Sequence, residues 1–546
     1  VTRFPLRPVA LVAATLLAAT PLVAQGPAAP RTRAERTAYT ETTRHDEIRP
    51  FLDSVAAAAP AAVHVTSMGR TTNGRELWLA IASRPLVRTP EEARRLGRPV
   101  VYVQGNIHAG EVEGKEALLA LLRDLARDPR PNPLDSLVWL VVPNYNADGN
   151  EAVGPQGRQR TEQQGPELVG QRPNGAGLDL NRDYVKAAAA ETRAALAIID
   201  AWRPHVFVDC HTTDGSFHGY ALTYAPSLHP AAPLGAWSHD TLLPTLRARV
   251  AERHRFPLFP YGNFSAAYGD ERWTDTVKTG WWTYDHRARY GVNLQGLTGT
   301  VAVLLEGYSH DPFERRVRSM YATLRELLSL AAEPGQRVLA RTTAARRAAT
   351  RLATPVPIGA RFTTRPDTQP VVLEPLVRAA DSTVRAEPGV PIGYRRSGRF
   401  LTQRMPVLDR FEPVLTRPAS PGGYALVGDW PEAVALLARH GVRVDTLRRA
   451  IPVPVERFVV DSVRRASRPF QGHAEVTVRG RWERATVTLP AGTVVVPRGT
   501  DRDLVALTLL EPEADDGLLT WNHFDRALAP GTPAPAVRLL RPVRRR

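Results

Sequence analysis

Cysteine is almost absent: Cys210 is the single one in 546 residues. No disulfide can form within the chain, and a structural zinc site built from several thiolates is excluded. No stretch reads H-E-x-x-H, so that helix-borne zinc motif is missing. No G-x-S-x-G occurs either, which leaves a serine-hydrolase elbow without support. Beyond Ala24 no apolar run approaches the roughly 20 residues that a membrane span needs. No period of about 20–50 residues marks a repeat protein. The net charge is +16, yet its arginines are spread over the whole chain, with no basic recognition helix and no aromatic RNA-binding motif. The charge therefore reads as a compositional bias towards Ala, Arg and Pro, ending in a solvated "RLLRPVRRR", and nucleic acid is not an expected partner.

What is present is globular material, 43% hydrophobic and 23% charged. The length implies two or three domains. Arg3 and Arg7 precede the apolar "VALVAATLLAATPLVA", and Pro21 interrupts it. Residues 1–24 thus read as a secretory signal cleaved near Ala24, without stable membrane insertion afterwards, and the expected location is secreted or periplasmic. Residues 25–40 read as a flexible leader. Over 41–340, apolar strand-like runs alternate with helical segments, which predicts an α/β layer fold around a largely buried sheet. Residues 341–546 read as a linker and a smaller, mostly β accessory region, with one helix in "DWPEAVALLARHGV".

In open α/β sheets, sites form outside the carboxyl ends of the strands. After the first apolar run come His108 and Glu111. After the second come Asn144, Asn146 and Asp148, after the third Asp209, His211 and Thr212, and after the fourth Glu306. His108 and Glu111 are three apart, a spacing that puts both on one face of a helix's first turn. His211 is the best third ligand, because a catalytic zinc keeps three protein ligands and an open position. Alone, His-x-x-Glu is a weak motif and reads more readily as a capped helix start with a solvated Glu. Two further segments add weight. "GLDLNRDY" contains Asn181 and Arg182, and an Arg fork suits a carboxylate. "VAVLLEGYSH" ends an apolar strand on Glu306, where desolvation raises a carboxyl towards the range of a general base.

His108-x-x-Glu111, Asn181-Arg182, His211 and Glu306 together resemble the zinc metallocarboxypeptidases, the M14 peptidases, in order and rough spacing over residues 45–335. The wording "NADGNE", "LNRDY" and "DCHTTDG" is most similar to bacterial secreted members. The resemblance implies an α/β/α sandwich around a mixed eight-stranded sheet and one Zn²⁺ per chain, held by His108, Glu111 and His211. It implies Glu306 as general base and acid, Asn181 and Arg182 on the substrate's terminal carboxylate, and Asp179 orienting a ligand histidine. It further implies an Arg on the scissile carbonyl, here Arg172 with Arg160 and Arg158 as rivals. A pocket tyrosine is also implied, Tyr284 or else Tyr290, with Trp281 and Trp282 as further lining. Gly110 stands where the digestive members carry an Arg. Gly291 stands where basic-specific members carry an acid, so a preference for Lys or Arg is not expected. His205 reads as structural, Cys210 as a buried thiol on the opposite strand face, and His218 and His310 as open between support and structure. The expected partners are peptide or protein C-termini. The alternatives are a zinc amidase or carboxypeptidase on peptidoglycan stem peptides, and a non-catalytic secreted binding protein. The oligomeric state is not legible.

Overall fold

A computed structural model describes residues 1–2, 29–264 and 279–543, apart from 353, 384 and 386. The signal-like segment lies outside the described residues. Among the described residues no helix is long and apolar enough to cross a membrane.

The central sheet has eight strands: β1 (Val63–Arg70), β2 (Glu76–Ala82), β3 (Val100–Gly105), β4 (Val138–Val142), β5 (Val206–Thr212), β6 (Leu222–Pro226), β7 (Leu258–Pro260) and β8 (Val301–Gly307). Their order is β1-β2-β4-β3-β5-β8-β6-β7. The middle strands β4, β3, β5 and β8 are parallel, and antiparallel pairs flank them. The sheet is mixed, as expected. Its centre is buried on both faces, which is why those strands read as continuous apolar runs rather than alternating ones.

Alternation along the strands divides the core. Val101, Val103, Val206, Val208, Cys210, Val301 and Val303 face one side. Helices α1 (His45–Ala58), α2 (Glu113–Arg127), α3 (Leu243–His254) and α4 (Phe313–Ala332) cover that side with Leu52, Leu118, Leu121, Leu246, Leu324 and Leu327. Tyr102, Phe207 and Leu304 face the other side, against Leu196 and Ile199 of the helix Ala190–Trp202. A strand's side chains alternate between faces, so Asp209 and His211 continue the Phe207 row and Glu306 continues the Leu304 row. That row leads out of the core to the strand ends.

Two expectations need correction. Residues 29–40 are not a loose leader. Thr32 caps the short helix Arg33–Arg36 in a reciprocal capping box, and Ala34 is fully buried. Arg123 ties the segment down by donating to Pro30 O (3.0 Å) and Glu35 (2.6 Å). A Pro- and Ala-rich composition hides this, because the anchors lie on a distant helix. The second correction concerns the region after 340. The helix Val338–Ala349 crosses that boundary, and the helix Asp503–Leu510, "DLVALTLL", escaped notice. The latter is apolar all round and buried, so it has no helical period to detect.

The C-terminal half contains an antiparallel sheet of β9 (Tyr424–Leu426), β10 (Asp445–Thr446), β11 (Ile451–Arg465), β12 (Val476–Leu489), β13 (Val494–Val496) and β14 (Ala536–Leu539), ordered β10-β13-β9-β14-β11-β12. This half is mostly β, as expected. It does not hang from a linker. Leu436, Leu437, Val505, Leu509 and Trp521 share one core with Leu196, Ile199, Tyr184 and Phe207. Burying each such large side chain is worth about 1.5–3 kcal/mol, so the shared core fixes the C-terminal half against the central sheet.

Candidate metal centre

The carboxyl ends of β3, β5 and β8 lie side by side because these strands are parallel neighbours. After β3 the chain closes a turn in which the Glu111 N–H donates to His108 O (2.9 Å), and helix α2 starts only at Glu113. His108 and Glu111 thus sit on a turn before the helix, not on its first turn as the spacing suggested. The turn closes over the same three-residue interval and brings the two side chains together. His211 lies on β5, and Glu306 is its register partner on β8. Residues separated by about a hundred positions therefore converge.

One nitrogen or oxygen from each of His108, Glu111 and His211 lies within 4.8 Å of the others, and all three residues are buried. Their hydrogen bonds fix which atoms face inward. His108 Nε2 is 3.0 Å from Asp179 Oδ1, and His211 Nε2 is 3.1 Å from Asp209 Oδ2. Asp179 takes the His108 Nε2–H, whereas His211 Nε2 faces Asp209 across an ion-pair distance and also lies 3.3 Å from the Asn181 amide nitrogen; both Nδ1 atoms are turned into the cluster. The two Nδ1 atoms are 3.2 Å apart. Glu111 Oε1 is 3.0 Å from one and Oε2 is 2.9 Å from the other. Converging lone pairs beside a carboxylate repel unless positive charge sits among them. Without a metal the cluster draws a proton: burial opposes charge on His211, but Asp209 and Glu111 hold it well above the usual imidazole range. A divalent cation displaces that proton. Two histidines and one carboxylate, each braced from behind, fit a catalytic zinc with an open position.

Glu111 is braced as well. Arg160 Nη1 donates to its Oε1 (2.9 Å) and the Thr212 N–H to its Oε2 (3.1 Å). Burial alone would raise its pKa, but His108 and Arg160 hold it well below the usual carboxylate range. Asp179 is likewise raised by burial and brought well below that range, first by His108 and then by Arg172 and Arg182. Glu306 behaves oppositely. Burial pushes it well above the usual range, Glu111 and Asp214 add to this, and His211 opposes it.

An open cavity lies over the cluster. His108, Glu111, His211, Glu306, Asn181, Arg182, Arg172, Tyr284 and Tyr290 all line it. Asn181 and Arg182 sit on a 3₁₀ turn capped by the Asp179 side chain, which accepts the Asn181 N–H (2.9 Å). The Asn181 amide is itself fixed by the Gly291 N–H (3.1 Å). The Arg182 guanidinium lies 4.2 Å above the Tyr290 ring.

The three rival arginines separate. Arg158 is exposed on a neighbouring turn of helix. Arg160 is 5% exposed and turns its two terminal nitrogens to Glu111 and to the Thr212 and Thr213 carbonyls. Arg172 lines the cavity with its side chain 35% exposed, held by Asp179 (2.9 Å). Both tyrosines are on the wall, and Tyr284 donates its hydroxyl to Asn293 Oδ1 (3.3 Å).

Other candidates fall away from the site. Trp281 is fully buried with Phe259 and Phe264 and does not line the cavity. Asp148 accepts from Arg75 and Thr71 (2.8 Å each), and Asn146 caps a short helix through the Gly149 N–H. His205 accepts the Val100 N–H (2.9 Å), His218 packs among Tyr220, Trp281 and Tyr308, and His310 bonds Gly215 O (2.8 Å). Burial lowers all three histidines to about 3, so they are neutral structural rings. Cys210 points into the opposite core. A Cβ on Gly291 would meet the Tyr184 ring at 2.7 Å, so that position has no room for an acid. Sequence reading assigned no role to Asp214, Tyr261 and Leu304 on the cavity wall. Asp214 carried a signal, since it follows His211 in "DCHTTDG". Tyr261, whose hydroxyl donates to Asp214 (3.1 Å), carried none.

The profile of the zinc carboxypeptidase family, Peptidase_M14, matches residues 48–227. Over that stretch, about a third of its length, the chain is similar to the zinc carboxypeptidases. It is a metallocarboxypeptidase that uses zinc, and the His108–Glu111–His211 cluster is able to bind such a metal. Carboxypeptidase 2 of Trichophyton tonsurans is 24% identical over 432 residues, covering 77% of this chain and 73% of the relative. Carboxypeptidase M of Mus musculus is 30% identical over 190 residues, 33% of this chain and 39% of the relative. A metallo-carboxypeptidase from Burkholderia cenocepacia aligns in structure with a TM-score of 0.38 at 19% identity, covering 52% of this chain and 68% of that one.

Proposed function

We propose that the chain hydrolyses the last peptide bond of peptide substrates and releases one C-terminal residue. The observation that carries this reading is a single cavity walled by a His–Glu–His cluster, a buried carboxyl and an Asn–Arg pair. His108 and His211 through Nδ1, and Glu111 through its carboxylate, would hold the zinc. When bound, zinc supplies a water of lowered pKa, near 7, and a Lewis-acid contact for the scissile carbonyl. Glu306 takes the proton of the attacking water and returns it to the leaving nitrogen. Its raised pKa suits both halves of that exchange. Arg172, on the wall beside Glu111, donates to the developing oxyanion. One such donor is worth about 3–4 kcal/mol. Asn181 and Arg182 bind the terminal carboxylate, Asp179 and Asp209 keep the two imidazoles in register, and Tyr284 lines the pocket for the departing residue.

We further read residues 41–340 as the catalytic domain and 341–546 as its support, with the chain exported by its N-terminal segment. The motif wording favours bacterial secreted members; the two sequence relatives named above are fungal and mammalian, and the protein aligned in structure is from Burkholderia cenocepacia. The test is zinc content together with release of C-terminal amino acids from peptides and from muropeptides, with and without a chelator. Zinc near one per chain and chelator-sensitive release are expected. Release from muropeptides alone would move the substrate to peptidoglycan, and no zinc at all would end the proposal. Arg182→Ala is expected to cost about 100-fold on substrates with a free C-terminus, as for loss of a charge-assisted bidentate contact. On C-terminally amidated substrates the loss should be small.

A further inference from the structure

The β11–β12 hairpin runs from the C-terminal half to the wall of the candidate site. Its tip is the two-residue turn Gln471-Gly472 between Phe470 and His473, which exchange backbone hydrogen bonds (2.8 and 3.1 Å). Gln471 has φ +53° and Gly472 φ +81°, the mirror-image turn that matches strand twist and favours Asn or Gly at its first position. Gln is an unusual choice there, and its longer side chain has a partner. Gln471 Oε1 accepts the backbone N–H of Asp179 at 2.8 Å, across 292 positions of sequence.

The tip is held where it is. Glu475 pairs with Arg289 (2.7 Å), Arg289 lies over the Phe470 and Trp521 rings, and His473 Nδ1 is 3.2 Å from Asn522 Oδ1. Arg289 precedes Tyr290 of the cavity wall and is itself bound by Asp516 through both its N–H (2.6 Å) and its guanidinium (2.8 Å). The amide oxygen therefore comes from a fixed support.

We propose that Gln471 is a positioning residue for the metal centre. It holds the Asp179 backbone and thereby sets the carboxylate that binds His108 Nε2 and Arg172. This rests on the reading of His108 as a zinc ligand. Asp179 has three separate tasks: orienting His108, holding Arg172 and capping the Asn181–Arg182 turn. A small rotation of its backbone would disturb all of them together. The C-terminal half thus completes the site through one acceptor.

The test compares Gln471→Met, which keeps length and loses the amide, with Gln471→Glu, which keeps an acceptor oxygen. Three quantities are read on full-length zinc-loaded protein: zinc release to a chromogenic chelator, kcat and KM on a blocked dipeptide, and Tm. Loss of a direct ligand partner typically costs about 10–100-fold in metal affinity. For Q471M, one step further out, zinc release about fivefold faster, kcat about fivefold lower and a raised KM are expected, with Tm unchanged. Q471E should stay within twofold of wild type. Q471M holding zinc within twofold of wild type overturns the proposal. Equal losses in Q471M and Q471E also overturn it, because the turn and not the acceptor would then matter. If wild type binds zinc but cleaves no peptide, the proposed function fails, and the zinc-release comparison still decides the role of Gln471.

Discussion

The two largest sheets among the described residues treat their strand ends differently. In the middle of the central sheet β4, β3, β5 and β8 run parallel, so every carboxyl end emerges on one edge. Side chains far apart in sequence meet there without any long-range loop. In the C-terminal sheet all neighbours are antiparallel, so carboxyl ends alternate between edges. No equivalent convergence is possible, and no second His/Cys/Asp/Glu group able to hold a metal occurs among the described residues. What the antiparallel sheet offers instead is reach: a long hairpin, and loops that brace the first sheet's loops. Chemistry falls to the parallel ends and support to the hairpins.

The comparison breaks most visibly at Glu306. Glu306→Gln should lower kcat by about 10⁴-fold, the upper range for a proton-transfer group, while zinc content stays unchanged. Zinc lost with activity would make Glu306 a ligand instead. On the supporting side, Asp516→Ala leaves the buried Arg289 with only the half-exposed Glu475. Breaking a buried pair costs about 3–5 kcal/mol, so a loss near the lower end is expected in urea unfolding, together with a raised KM from the loosened Tyr290 loop. An unchanged KM would detach the C-terminal half from the site.

A smaller effect comes from His440. It is buried beside the shared core, and its Nε2–H donates to Val185 O (2.9 Å). Burial lowers its pKa to about 4, with Arg502 and Arg439 adding and the Val185 contact opposing. The unfolded chain takes up a proton near 6.5 while the folded ring stays neutral. This contribution is complete above about 6.5 and is lost as pH falls to about 4. It amounts to about 3 kcal/mol at most. Urea unfolding between pH 7 and 4.5 should show a slope to which the buried His205, His218 and His310 also contribute, and His440→Gln should reduce it by one histidine's share.

The fold of the central sheet was legible because its buried strands are long apolar runs that stop on polar residues. The cluster was legible for a related reason: His108, Glu111, His211 and Glu306 each sit where such a run ends. Asp179 and Arg172 were legible only through family resemblance, since a loop residue's partner is not written in its neighbours. Gln471 left no local trace at all. Its partner is 292 positions away, and "PFQGH" reads as an ordinary turn. The helix Asp503–Leu510 was missed for lack of any polar face, and the Pro- and Ala-rich stretch before residue 40 was misread for lack of any visible anchor.

One core, filled from both sides of residue 340, has a consequence for how this protein can be divided. Cutting the chain there and parting the fragments would leave Leu196, Ile199 and Tyr184 facing water on one and Leu436, Val505 and Trp521 on the other. A nick at the junction would leave the two pieces held together by that core, and pulling them apart would expose an apolar face on each. Evolution can lengthen the loops of such a molecule freely, but it must inherit its halves together.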